Sequence, residues 1–178
     1  MPKKEETGTL LSCRPAIRVL DATLRDGGLV NDFRFSDEFV HALIAANAAA
    51  GVDYMELGYK ADADLFDREK FGKWKFCREE EIIPVIGENK TEMKFSCMAD
   101  VGRCNFTRDI CQKADSPFDM YRIATYINTI PAAIEMIEYC EKMGYETTVN
   151  IMAVSRETEK EISLALDMLG KSPVRAIY

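Results

Sequence analysis

Short runs of β-branched and aliphatic residues recur along the chain, and apolar positions between them fall at helical spacing. The runs lie at 17–24, 54–59, 93–98, 120–126, 147–154 and 174–178. Between the first two, Ser36 can cap a helix, Asp37 and Glu38 suit its positive end, and Gly51 stops it. Phe39, Leu43, Ile44 and the alanines 46 and 48–50 give that helix an apolar stripe. The fourth connection is read the same way, with Thr129 as cap, Pro131 in the first turn, Ile134, Ile137 and Met143 inward, and Gly144 as terminator. The fifth opens on a capping box, Thr158-x-x-Glu161, and closes near Gly170. Segment 60–92 predicts a long loop rich in aspartate, then a short helix over 78–83 that ends before Pro84.

Strand and helix alternating in this way require parallel strands joined by right-handed crossovers. No Pro-, Gly- or Ser-rich linker divides the chain, so the pattern predicts one domain over 17–178 preceded by an extension over 1–16. An open doubly wound sheet and a (β/α) barrel both satisfy this rhythm, and composition does not choose between them. A full barrel takes eight units and typically about 250 residues. Six strands in 178 residues would make an incomplete one, stopping in mid-strand at Ala176-Ile177-Tyr178 as a truncated protein would.

Composition narrows the chemistry. The chain is 47% hydrophobic and 30% charged, with a net charge of −7, an ordinary globular balance. That charge argues against nucleic acid or an anionic membrane surface as partner. The start, Met1-Pro2-Lys3-Lys4-Glu5-Glu6, lacks the apolar core of a secretory signal, and the most apolar stretch, 42–52, is too short to span a bilayer. Six cysteines without a C-x-x-C pair predict reduced, mostly buried thiols in a cytoplasmic protein. A single histidine, His41, excludes a two-histidine metal site built from this chain alone and reads as a helix-packing residue.

The densest polar cluster is Asp21-Ala22-Thr23-Leu24-Arg25-Asp26-Gly27-Gly28. Read as an extended strand, it points Asp21, Thr23 and Arg25 to the interior, while Gly27-Gly28 turns the chain and carries Asp26 over the C-terminal mouth, where α/β active sites lie. Glu56 adds an acid inside an apolar run, Asp100 ends the third strand, Arg122 lies on the fourth and Asn150 on the fifth. Carboxylate oxygens suit a hard divalent cation, and a guanidinium offers a planar fork to a carboxylate or an enolate. The same residues could instead form a self-satisfied Asp21–Arg25–Glu56 ion network, and spacing leaves the two readings level.

The run Asp21-Ala22-Thr23-Leu24-Arg25-Asp26-Gly27 resembles the D-x-T-L-R-D-G signature of the metallolyase barrels of the HMG-CoA lyase-like superfamily. That superfamily includes isopropylmalate and homocitrate synthases, pyruvate-carboxyltransferase domains and 4-hydroxy-2-oxovalerate aldolases. Gly27-Gly28-Leu29-Val30-Asn31 and Phe71-Gly72-Lys73-Trp74-Lys75-Phe76-Cys77 are similar to the branch of aldolase catalytic domain-containing proteins. The resemblance implies an α/β fold, an incomplete (β/α)8 TIM barrel of about six parallel strands and five connecting helices. It implies an aldolase or carbon–carbon lyase acting on a 2-oxo acid or aldehyde through a metal-stabilised enolate. Asp26 would ligate Mg²⁺ or Mn²⁺, Arg25 would receive enolate charge, and Glu56 would support the pair. Arg122 would join them, and Asp21, Thr23 and Asn150 would contact substrate. Two departures accompany it. The family's His-x-His metal ligands belong to a later strand that these 178 residues do not include, so the chain alone is expected to bind metal weakly and to be inactive. The aldolase subgroup's catalytic histidine aligns with Leu29.

The alternative is a non-catalytic small-molecule-binding or assembly module derived from the same barrel. Either way, uncovered strand edges predict a homo-oligomer. A doubly wound hydrolase or nucleotide binder finds no support, since G-x-S-x-G, P-loop and dinucleotide fingerprints are absent.

Overall fold

The computed structural model describes residues 17–178; the 1–16 extension and Cys13 lie outside them. Six strands form one sheet in chain order: β1 (Leu20–Asp21), β2 (Tyr54–Tyr59), β3 (Lys94–Asp100), β4 (Met120–Thr125), β5 (Glu146–Ile151) and β6 (Ala176–Ile177). Every neighbouring pair is parallel, and the sheet curls into a half-barrel. The described helices are α1 (Thr23–Asn31), α2 (Asp37–Ala50), α3 (Glu79–Ile86), α4 (Phe106–Asp109), α5 (Ile130–Lys142) and α6 (Glu159–Leu169). The incomplete barrel is therefore as expected, with one helix more than the five predicted, because the first connection carries two.

Period-2 alternation sorts the strands into two faces. Met55, Leu57, Phe95, Cys97, Ala99, Tyr121, Ile123, Val149 and Ile151 are buried in the core beneath the helices. Glu56, Ser96, Met98, Asp100, Arg122, Thr148 and Asn150 alternate with them and so face the barrel interior. Ser36 caps α2 by accepting from the Phe39 amide, Gly51 ends it in the left-handed region, and Thr158 with Glu161 completes the capping box of α6. Thr129 instead exchanges hydrogen bonds with Thr125 and Tyr126, leaving the start of α5 without a side-chain cap. The helix predicted to stop before Pro84 continues through it to Ile86, held by buried Ile82 and Val85 against the core. His41 lies on α2 and bonds through Nε2 to the Val85 carbonyl, tying α2 to α3.

The largest departure from the sequence reading is the start of the barrel. The first strand ends at Asp21, and Thr23 to Asn31 is helical. Both Asp21 carboxylate oxygens are engaged two residues on: Oδ1 accepts from the Thr23 amide at 3.2 Å and Oδ2 from the Thr23 hydroxyl at 2.7 Å. This Asx-type turn redirects the chain into a helix, so Thr23 and Arg25 do not line an extended strand. Gly27 and Gly28 fall inside α1 and make no turn. Gly28 is required by proximity, because a Cβ there would lie 2.1 Å from the Phe33 ring. Asp32 and Phe33 then take left-handed backbone (φ 54° and 61°), which swings the Phe33 side chain under α1.

The aspartates of the 60–92 segment are occupied by structure. Arg108 on α4 donates to Asp62, Asp64 and Asp109, which pins the loop after β2 to the following connection. The thiols of Cys77, Cys97, Cys104, Cys111 and Cys140 are free, and burial pushes Cys140 up to about 12, in keeping with inert core residues. Among the described residues, no helix is long and apolar enough to cross a membrane.

Candidate active site at the barrel mouth

The interior is built around Glu56. Its carboxylate is wholly buried, and Oε2 accepts from Arg25 Nε at 2.8 Å and from Arg122 Nη1 at 2.7 Å. Arg25 reaches it from the first turns of α1, and Arg122 comes from β4, two strands away from β2. Burial pushes the Glu56 carboxyl above the ordinary carboxylate range, while Arg122 and Arg25 pull it back. One acid thus holds two guanidiniums inside a low-dielectric interior. Oε1 of Glu56, Nε of Arg122, Oγ of Ser96 and Oγ1 of Thr148 are buried on the same face without hydrogen-bond partners.

Asp26 stands at the rim with its side chain 59% exposed and accepts from Arg25 Nη1. The Arg25 guanidinium also lies 5.9 Å from the Tyr59 ring centre, and that of Arg122 lies 5.0 Å from the Tyr178 ring. Of the residues singled out in the sequence, Arg25, Asp26, Glu56 and Arg122 are brought into one connected group. Asn150 is on the interior face, its Cα paired with Ala124, without a bond to that group. Asp21 and Thr23 bond one another at the helix entry and stay apart from it.

Two further charged residues at this end were not assigned a role from sequence. Lys75, 8% exposed, follows β2 in a 3-10 turn (Lys73–Lys75). Its ammonium is ringed by Phe66 (4.4 Å), Tyr59 (4.5 Å), Phe33 (5.0 Å) and Phe71 (5.7 Å). Asp100 ends β3 with Oδ1 buried and unpartnered. The run Phe66…Phe71…Trp74-Lys75-Phe76 was the legible signal for the cage, since a lysine amid aromatics is a cation–π candidate. Trp74 itself is fully buried packing.

A cleft of about 500 Å³ opens at the opposite end of the interior, lined by Leu20, Tyr54, Lys94, Glu146 and Tyr178 among others. Its charges satisfy each other: Glu146 accepts from Tyr54 at 2.8 Å and pairs with Lys94. In parallel α/β barrels that end serves stability.

The residues offer little to a divalent cation. Among those described, no group of three His, Cys, Asp or Glu is placed to hold one. A single rim carboxylate already shared with Arg25 falls short of the oxygen set that Mg²⁺ or Mn²⁺ needs. The 178 residues should accordingly show weak or no heat of binding when titrated with Mn²⁺; tight one-to-one binding would mean that ligands other than Asp26 converge here.

No family model matches the chain. The chain is 24% identical over 152 residues to 4-hydroxy-2-oxovalerate aldolase 6 of Rhodococcus jostii (strain RHA1), an alignment covering 84% of this chain and 42% of that one. It is 26% identical over 149 residues to 4-hydroxy-2-oxovalerate aldolase of Pelotomaculum thermopropionicum, covering 83% and 42%. Both of these relatives are named as 4-hydroxy-2-oxovalerate aldolases. The likeness expected from the Asp21–Gly28 motif is thereby borne out, and the chain spans just under half the length of the curated relatives it matches. In fold it superposes on the crystal structure of the N-terminal domain of a protein assigned as an aldolase from Bacteroides vulgatus. The TM-score is 0.69 with 22% identity, over 90% of this chain and 62% of that one.

Proposed function

We propose that this chain forms the Arg-Asp half of an aldolase active site that makes or breaks the bond between the carbons α and β to the carbonyl of a 2-oxo acid. The observation that carries the reading is the buried Glu56 carboxylate gripping Arg25 and Arg122 just below the mouth of a half-barrel. Cleavage of a 4-hydroxy-2-oxo acid leaves an enolate, whose oxygen needs a fixed positive donor. Arg25 has Nε on Glu56 and Nη1 on Asp26, which leaves Nη2 outside these bonds. Because both anchoring carboxylates hold the guanidinium in place, it can meet the growing charge with little reorganisation. Arg122, held on the same oxygen, adds positive potential where the substrate carboxylate would lie. Asn150 on the interior face would orient the substrate carbonyl. Asp26 would give one oxygen to a divalent cation, Mg²⁺ or Mn²⁺, whose remaining ligands these residues do not supply; nothing else in the reading depends on it. We place the protein in the cytoplasm, acting on small molecules and self-associating through its strand edges.

The test uses 4-hydroxy-2-oxopentanoate and the longest polypeptide that carries these residues, with aldehyde release as the readout. Arg25→Ala should lower kcat by about 10²–10³, the usual cost of losing one oxyanion donor, with folding checked separately. Saturable binding of the 2-oxo acid without turnover, in a protein with all its strands, would replace this reading by the binding-module one.

A further inference from the structure

Aldol cleavage needs a group to remove the proton from the 4-hydroxyl as the carbon–carbon bond breaks, and none of Arg25, Glu56 or Arg122 suits that task. A guanidinium has no acceptor atom, and the Glu56 carboxylate, although its Oε1 is without a partner, serves as shared counter-ion to both arginines, whereas no ion pair among the described residues holds Asp100. Asp100 is placed differently. It closes β3, the strand next to that of Glu56, and alternation from Ser96 and Met98 turns it to the interior. Its Oδ1 is buried with no hydrogen-bond partner, at the end of the strand where the mouth begins. Around it stand Lys75 from the loop after β2, Tyr59 from β2, Arg103 from the turn after β3 and Arg25 from α1. None of these forms an ion pair with it within 4 Å among the described residues.

From this placement we propose that Asp100 is the general base of the cleavage step and that caged Lys75 is the positioning cation whose field acts on it. The inference rests on the aldolase reading above. In the step, Asp100 takes the hydroxyl proton and the oxygen–hydrogen pair becomes the new carbonyl of the departing aldehyde. The C3–C4 bond breaks, its electron pair forms the C2–C3 double bond, and the C2 carbonyl pair moves onto the enolate oxygen facing Arg25. Return of a proton from Asp100, after exchange with solvent, to C3 completes the 2-oxo acid, so atoms and charge balance without any oxidant or reductant.

The electrostatics agree. Burial pushes the Asp100 carboxyl above the usual range, while Lys75, Arg103 and Arg25 hold it down. Lys75 cannot neutralise Asp100 by direct pairing, because its ammonium is held among four rings, and so it acts through space.

The experiment follows cleavage of 4-hydroxy-2-oxopentanoate against pH in the longest polypeptide that carries this chain. Asp100→Ala should slow cleavage by about 10²–10⁴, lose the acid limb of kcat/KM, and recover in part when formate supplies a free carboxylate. Lys75→Met fills the cage with a side chain of similar length and should move the acid limb to higher pH, since Asp100 then loses a stabilising cation. An Asp100→Ala protein that cleaves at the parent rate, or keeps its acid limb and ignores formate, overturns the assignment. An unmoved limb in Lys75→Met does so independently, even where Asp100→Ala fails to fold. If the unsubstituted protein leaves the probe intact, the aldolase reading fails and the base assignment falls with it, whereas cleavage by the parent with unchanged variants overturns the assignment alone.

Discussion

Glu56→Ala should cost about 3–5 kcal/mol of stability, because it leaves two guanidiniums buried without their shared counter-ion. For a domain of this size that is a fall in Tm on the order of 10 °C. The magnitude follows from the geometry: Arg25 Nε and Arg122 Nη1 both end on the one oxygen, Oε2, in an interior where Glu56 has no exposure at all. Glu56→Gln keeps an acceptor oxygen and should cost less, though it still leaves two positive charges facing a neutral amide. Thermal unfolding followed by circular dichroism separates the cases. A Glu56→Ala protein as stable as its parent would mean that the two cations are solvated elsewhere and that the interior network is not formed.

The second large effect is expected at Gly58. A Cβ there would lie 1.9 Å from the Trp74 carbonyl oxygen and 2.9 Å from the Cys77 sulfur. Backbone cannot rotate away as a side-chain tip can, so Gly58→Ala has to push the 72–77 segment off β2, at the upper end of the about 1–3 kcal/mol usual for overpacking. The same displacement would drag Lys75 from its cage and dislodge the buried Trp74 indole, which gives a change in tryptophan fluorescence beside the loss of Tm. Gly27→Ala is the internal control. It faces only the tip of the Phe35 ring at 3.4 Å and lies within α1, where alanine is the better helix former by about 0.5–1 kcal/mol. Equal responses at positions 27 and 58 would refute the close approach of the loop to β2.

The features that were legible from sequence are those fixed by local chemistry repeated over several residues. Strands β2 to β5 announce themselves because their outward positions carry Met55, Leu57, Phe95, Cys97, Ile123 and Val149 in alternation. The ends of α2 follow from Ser36 and Gly51, and the start of α6 from Thr158 and Glu161. The opening of the barrel was misread because Asp21 and Thr23 look like interior strand positions at a spacing of two, whereas their side chains close a turn on each other. Leu24 and Gly28, both buried and four apart, were the trace of a helix face. Pro84 was overruled by tertiary packing of its neighbours. In the candidate site, the acid and the two arginines could be listed from sequence, but not their sharing of one oxygen, since the pairing spans 66 residues. Lys75 escaped because a charged residue between Trp74 and Phe76 reads as a solvated surface position until the loop folds back.

Phe33 joins parts of the chain that would otherwise vary independently. Its ring fills the space where a side chain at position 28 would stand, its carbonyl would lie 2.1 Å from a Cβ at Gly72, and its face closes one side of the Lys75 cage. The helix that presents Arg25 and the loop that carries Gly72 and Lys75 are thus keyed to a single residue. Natural drift or laboratory evolution at positions 28, 33 and 72 should therefore move in concert: libraries that randomise one of the three will return mostly dead clones, and reshaping the entrance will require all three to be varied together.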